Sequence, residues 1–260
     1  MNILLTNDDG IYADGISAMY QALRQKGHEV VVVAPDSERS AVGHAITVSD
    51  PLKVAFVDVE ARIRGYAIKG TPADCVKLAV NALLERKPDL VISGINRGAN
   101  TGYHIIYSGT VSAATEASMF GLTAIAVSLD VSLRKSGAID YNYAAQFATR
   151  LCDVVAQHGG LPEGTLLNVN VPGGDPQQIK GVRICKQARF HQADEYEKRV
   201  DPFERIYYWP KLEQVRVTNP PEVEVDYRLL KAGFIVVTPI QYDLTDYKMI
   251  SQLQQWTIKL

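Results

Sequence analysis

The sequence predicts an α/β fold: a Rossmann-like parallel sheet sandwiched by helices, with a β-hairpin insertion and a protruding C-terminal arm. Three observations carry this expectation. Short, nearly continuous apolar runs such as NILLT, EVVVVAP, DLVIS and TAIAVSL have the length and β-branched content of strands buried on both faces. Between most of them lie stretches with apolar residues at helical spacing. The two kinds alternate along the chain, and that alternation builds βαβ units whose crossovers cover a parallel sheet on both sides.

The elements follow in order. NILLT is the first strand, and GISAMYQALRQKG, with Ile16, Met19, Tyr20 and Leu23 at helical spacing, is the crossover to EVVVVAP. ITVSDPLKVAFVDV and ARIRGYAIKG alternate as strands with no helix between them, the pattern of a hairpin-like insertion. KGTPADC starts the next helix, with Thr71 as N-cap, Pro72 in the first turn and Asp74 near the third position. That helix runs on through ADCVKLAVNALLE. DLVIS, GTVSAATEASMFG, TAIAVSL, YAAQFATRLCDVVAQHG and TLLNVNVP then read as strand, helix, strand, helix and strand. Beyond them the rhythm fades into GVRICKQARFHQADEYEKRVDPFERIYYWP, rich in charges and aromatics, and residues 187–228 form the expected arm. AGFIVVTPIQYDL supplies one more strand and YKMISQLQQW a last helix. There is no internal repeat, low-complexity tract or linker, so residues 1–260 are expected to form one domain.

Composition narrows the function. The 260 residues are 47% hydrophobic and 22% charged, enough for a sizeable core. A net charge of −2 without a long basic run argues against a nucleic-acid polymer as partner, because tracking phosphates needs clustered Lys and Arg. Cys75, Cys152 and Cys185 are odd in number and lack a CxxC spacing, so they are expected to be ordinary half-buried thiols. No apolar run approaches the roughly 20 residues that span a bilayer. A soluble, cytoplasmic protein is the expectation, with no membrane partner.

The chemistry starts at NDDG, where Asp8 and Asp9 follow an apolar strand. Adjacent carboxylates repel and lose solvation there, so a positive partner is expected. Open parallel sheets bind ligands beyond the carboxyl ends of their strands, where the strand order reverses. Asp8 and Asp9 follow the first strand, Ser40 lies in PDSERSAVGH after the second, Asn96 lies in SGINRGAN after DLVIS, and Ser108, Gly109 and Thr110 open a helix. All are expected on one rim. A hard divalent cation, Mg²⁺ or Mn²⁺, suits two carboxylates with the neutral oxygens of Asn96 and Ser40. The ordinary alternative is that the Asp residues cap the following helix and Asn96 stabilises a turn. At YSGTVSAATEA, amides at the positive end of a helix suit a phosphate, and Gly109 permits close approach. Its alternative is a plain Ser or Thr N-cap.

NDDG, PDSERSAVGHAIT, GTPADCV, PDLVISGINRGAN, YSGTVSAATEA and AVSL stand in the order and spacing of the SurE survival-protein family, which the chain resembles through about residue 130 and again near LLNVNVP, IKGVR and TPIQYDLT. The resemblance implies a phosphomonoesterase acting on nucleoside 5′-monophosphates, sometimes on 3′-monophosphates and short polyphosphate, with one divalent cation per subunit. It implies metal ligation by Asp8, Asp9, Ser40 and Asn96, with Asp8 and Asp9 catalytic, and substrate contacts at Ser108, Gly109, Thr110 and Asn96. The expected chemistry is direct in-line attack of water at phosphorus without a covalent intermediate. It also implies a homodimer or homotetramer built through the arm.

Two departures bear on this. Tyr103 and His104 stand where some relatives carry an acidic pair, which touches substrate preference, and Gln241 stands where some carry His, which puts a general acid there in question. His44 is a candidate phosphate contact or an ordinary surface histidine. Two rivals remain. A receiver-type signalling domain also has an acidic pair after its first strand, but it needs a later phosphoacceptor Asp and a Lys that do not occur at fitting places. A nucleotide-binding sensor without turnover would use the same rim.

Overall fold

The computed structural model describes residues 1–59, 62–132, 138–189, 191–218 and 224–257. The predicted alternation is present. The strands are β1 (Asn2–Thr6), β2 (Glu29–Pro35), β3 (Lys53–Val59), β4 (Ile63–Lys69), β5 (Leu90–Arg97), β6 (Ala124–Asp130), β7 (Thr165–Pro172), β8 (Val182–Ile184), β9 (His191–Val200), β10 (Ile206–Thr218) and β11 (Ile235–Gln241). The helices are α1 (Asp14–Gln25), α2 (Pro72–Leu78), α3 (Gly109–Met119), α4 (Asn142–Gln157), α5 (Asp226–Lys231) and α6 (Tyr247–Leu253).

Nine strands form one sheet in the order β3-β4-β2-β1-β5-β6-β7-β11-β8. From β4 to β7 every neighbouring pair is parallel. The chain builds outward from β1 in one direction through β2 and in the other through β5, so the order reverses between β1 and β5. That reversal opens the crevice in which sheets of this class hold ligands.

Each face has its own core. Ile16, Met19 and Leu23 of α1 and Ala144, Ala148 and Cys152 of α4 pack with Ile3, Leu5 and Ile92 on one face. Cys75 and Val76 of α2 and Val111, Ala113 and Ala117 of α3 pack with Leu4 and Val91 on the other. The strict alternation of Ile3, Leu4 and Leu5 between these cores explains why NILLT is apolar throughout. Cys75 and Cys152 are fully buried rather than half-buried, and burial pushes the Cys152 thiol up to about 12. Inert core thiols result.

The hairpin insertion is present as the antiparallel pair β3–β4, but it is no appendage: β4 pairs in parallel with β2 and extends the main sheet. The helix expected through residue 85 is α-helical only to Leu78 and finishes as a π-helical turn, Ala79–Leu83. Within the arm, β9 and β10 form a separate two-stranded antiparallel sheet. Phe190, one of the arm aromatics, lies outside the described residues. Among the described residues no helix is long and apolar enough to cross a membrane.

Candidate functional site

Strand β1 delivers Asp8 and Asp9 into the crevice, and each is tied to a different neighbouring segment. The Asp8 carbonyl accepts a hydrogen bond from the Arg39 amide at 2.7 Å, which draws in the loop carrying Ser40. The Asp9 carboxylate accepts one from the Arg97 amide at 3.0 Å, which draws in the end of β5 carrying Asn96. The Asp8 carboxylate accepts from the Thr110 hydroxyl in the first turn of α3. Three remote stretches of chain therefore converge on the acidic pair.

Asn96 lies within β5, not in a loop after it. The β5–β6 register shifts between Ser93 and Asn96, and a Cβ on Gly94, whose φ is +140°, would lie 2.3 Å from the Val127 carbonyl oxygen. Only glycine lets the strand make this irregularity, which re-aims the side chains after it. The Asn96 amide nitrogen donates to the Gly98 carbonyl at 2.8 Å, so its Oδ1 is the atom left to face a ligand. Ser40 is exposed and its hydroxyl donates to Glu38 at 2.6 Å.

Asp8 is 5% exposed, and burial pushes its carboxyl up to about 6, with the Asp9 charge adding to the rise against the Thr110 bond. Asp9 is raised as well, by burial first, with Glu38 contributing. Among the described residues neither carboxylate forms an ion pair with Lys, Arg or His, and no group of three or more His, Cys, Asp or Glu side chains is placed to hold a metal ion by itself. The candidate centre is two acids beside neutral oxygens, with the charges of Glu38 and Arg97 close to Asp9.

Ser108 is the N-cap of α3, its hydroxyl accepting from the Val111 amide at 3.1 Å. The ordinary alternative for that hydroxyl is thus realised, and what the turn offers a ligand is backbone. Gly109 serves a purpose the sequence did not suggest: a Cβ there would lie 2.8 Å from Asp8 Cβ, so glycine is what lets α3 abut the carboxylate. The Thr71 cap is confirmed as a full capping box with Asp74, which also holds Thr47 through its amide at 2.9 Å and its hydroxyl at 2.6 Å.

His44 is engaged by a carboxylate. Its Nε2 lies 2.7 Å from the buried Glu116, which also accepts from Lys77 at 3.1 Å. Burial tends to raise the Glu116 carboxyl, but the His44 and Lys77 bonds outweigh it and hold it below its usual value. This pair and Asp74 fasten the loop of Ser40 to α3 and α2. Gln241 is also off the rim. β11 runs antiparallel to β7 and pairs Gln241 with Thr165 at the start of β7, the opposite edge of the sheet from Asp8. Gln241 nonetheless lines a cavity that runs along α3 and includes His44, Val111 and Ser112.

Several polar residues escaped the sequence reading. Thr6 and Ser93, register partners on β1 and β5, bury hydroxyls without hydrogen-bond partners among the described residues, and Asn7 Oδ1 is likewise buried and unpartnered there. They floor the crevice. Their signal was two apolar runs, ILLT and LVIS, each ending in a hydroxyl residue. Asn100 is gripped by the next two strands: its amide donates to Asn170 at 2.7 Å, its side chain to Ser128 at 2.8 Å, and its carbonyl accepts from Asn168 and Asn170. Gly102 is held from the arm side, its amide by Asp226 at 2.9 Å and its carbonyl by Gln187 at 2.8 Å.

Residues 3–194 match the family described as survival protein SurE. Among known relatives, the 5′-nucleotidase SurE of Syntrophobacter fumaroxidans is 46% identical over 258 residues, covering 99% of this chain and 100% of that protein. The 5′-nucleotidase SurE of Symbiobacterium thermophilum is 49% identical over 258 residues, covering 98% of each. The crystal structure of the SurE protein from Aquifex aeolicus superposes with a TM-score of 0.82 at 37% identity, covering 98% of both chains.

Proposed function

The chain belongs to the SurE survival-protein family, and from that premise we propose that it is a divalent-metal-dependent phosphomonoesterase that hydrolyses nucleoside 5′-monophosphates to nucleoside and phosphate. The observation that carries this reading is the meeting of Asp8, Asp9 and the Asn96 end of β5 at the point where strand order reverses, with the first turn of α3 against Asp8.

The donor set fits a hard cation. Two carboxylates without an ion-pair partner among the described residues, an amide oxygen and a hydroxyl suit Mg²⁺ or Mn²⁺, and the unpartnered oxygens of Thr6, Asn7 and Ser93 add polar lining beneath them. Asp8, Asp9, Asn96 and Ser40 would hold one cation per subunit. When bound, it supplies neutralisation of phosphoryl charge and a lowered pKa for water. One Asp orients the attacking water and takes its proton; Asp9 is the more exposed of the two. The amides of Gly109 and Thr110, at the positive end of α3, face the phosphoryl oxygens, while the Ser108 hydroxyl keeps the helix capped.

Release of phosphate after chelation tests this. No turnover is expected in chelator, with recovery on Mn²⁺ or Mg²⁺ and preference for nucleoside monophosphates over sugar phosphates. Full activity in chelator would reject the metal, and tight nucleotide binding without phosphate release would select the sensor.

The arm is proposed to build a homodimer or homotetramer. Tyr196, Tyr208 and Trp209 are exposed on its two strands, and a lone two-stranded hairpin is marginal without something to pack on. Light scattering is expected to give a multimer for the full chain and a smaller species when residues 191–218 are removed. A monomer in both cases rejects the assembly.

A further inference from the structure

We infer that Tyr107 is the platform on which the nucleobase of the substrate stacks, and that it thereby sets the preference for nucleotides over other phosphomonoesters. The inference rests on the nucleotidase reading above and assigns a binding role to a residue outside the acidic pair and the α3 turn. Tyr107 immediately precedes Ser108, so its Cα is about 3.8 Å from the residue that caps α3. A ring there lies within the span of a nucleoside whose phosphate sits at the turn.

Tyr107 is 57% exposed, yet its backbone is fixed on both sides. The Tyr107 amide donates to the His104 carbonyl at 3.0 Å, and the Tyr107 carbonyl accepts from the Gly43 amide at 3.0 Å. The ring stands edge-to-face with Tyr103 at 6.3 Å and 87°, and Tyr103 in turn stacks on His104 at 4.4 Å. Tyr103 packs on Ala188 and Val225 at the base of the arm. One residue earlier, Asp226 and Gln187 hold both backbone groups of Gly102. Asp226 is fully buried and also accepts from the Ala188 and Tyr227 amides at 2.9 and 2.7 Å, so the clamp belongs to the fold rather than to the loop.

An exposed aromatic side chain is unremarkable alone. One braced by Tyr103 against the buried cluster at the base of the arm, with its backbone pinned at both ends, offers a flat π surface that loses little freedom when a ligand covers it. Stacking of a base on such a ring is tolerant of base identity, since every base has a π face. Tyr107 should therefore separate nucleotides from compact phosphomonoesters without separating one nucleotide from another.

The test compares kcat/KM for 5′-AMP and for glycerol phosphate in the Mn²⁺-loaded full chain. In Tyr107→Ala and Tyr107→Leu the ratio of the two is expected to fall about tenfold, equivalent to about 1.4 kcal/mol, through KM for the nucleotide. Tyr107→Phe should hold the ratio near wild type, and 5′-AMP, 5′-GMP, 5′-CMP and 5′-UMP should lose alike. Thermal melting of each variant identifies a folding defect, in which case the bulk-retaining Leu variant decides. An unchanged ratio in the Ala and Leu variants overturns the inference, as does an equal loss in Tyr107→Phe or a loss confined to one base. If the wild-type protein itself shows no preference for 5′-AMP, the nucleotidase reading fails instead.

Discussion

Asp8→Asn is expected to abolish phosphate release while raising the melting temperature of the metal-free protein. The two effects share a cause. Burial raises the Asp8 carboxyl from 3.8 to about 6, so the folded state binds the proton more tightly than the unfolded chain does. Stability is then greatest below the unfolded value and declines as pH rises through the folded one. The loss amounts to about 3 kcal/mol above pH 6. An amide carries no charge to desolvate and can still accept from Thr110. In chelator at pH 8 the variant should melt several degrees above wild type, at roughly 2–4 °C per kcal/mol for a protein near this size. The gap should close as pH falls towards 4. Added Mn²⁺ should raise the wild-type midpoint far more than that of the variant. A variant that melts below wild type in chelator at pH 8 contradicts the desolvation argument, and wild-type turnover by the variant at limiting metal contradicts the site.

Gly109→Ala should lower turnover about 100-fold, the order of effect that a misplacement near 1 Å produces in a catalytic constellation. Helix propensity alone favours the change by roughly 0.5–1 kcal/mol. Sterics oppose it, because the new Cβ would meet Asp8 Cβ at 2.8 Å, Asp8 Oδ2 at 3.0 Å and Pro72 Cγ at 3.1 Å. The closest of these atoms, Asp8 Cβ, is fixed to its backbone and cannot swing away, so either α3 or Asp8 must move. Circular dichroism should report a folded protein with a melting point within a few degrees of wild type. Turnover within about threefold of wild type would show that Asp8 tolerates the shift and that this packing does not set its position.

The α/β order was legible because burial on both faces leaves a strong local mark: runs such as NILLT and DLVIS have no solvent side to vary. The rim residues were legible for a related reason, since a carboxylate pair at the end of a buried run conflicts with its surroundings unless something compensates it. What could not be read were relations between distant segments. Nothing local to Gln241 reveals that β11 runs antiparallel and carries it to the far edge of the sheet. His44 gave no sign of its attachment to Glu116, which is 72 residues away. Nor does anything local to Gly109 show that its missing side chain makes room for the side chain of Asp8, about a hundred residues earlier.

The arm exposes a different problem. β9 and β10 pair only with each other, so two long strands leave their outer hydrogen-bonding edges without a protein partner among the described residues. Such edges can template indiscriminate pairing between chains and, from there, aggregation. This sequence answers with charge and proline: Trp209 stands across from Glu197, Tyr208 from Lys198 and Tyr207 from Arg199, and Pro210 removes a donor from β10. A sticky aromatic row threaded with both signs of charge is a lock with a pattern. Glu197 and Arg199 already pair with each other at 2.8 Å, so a strand laid against this row must bury an ion pair and the Lys198 charge, a cost that falls on indiscriminate partners.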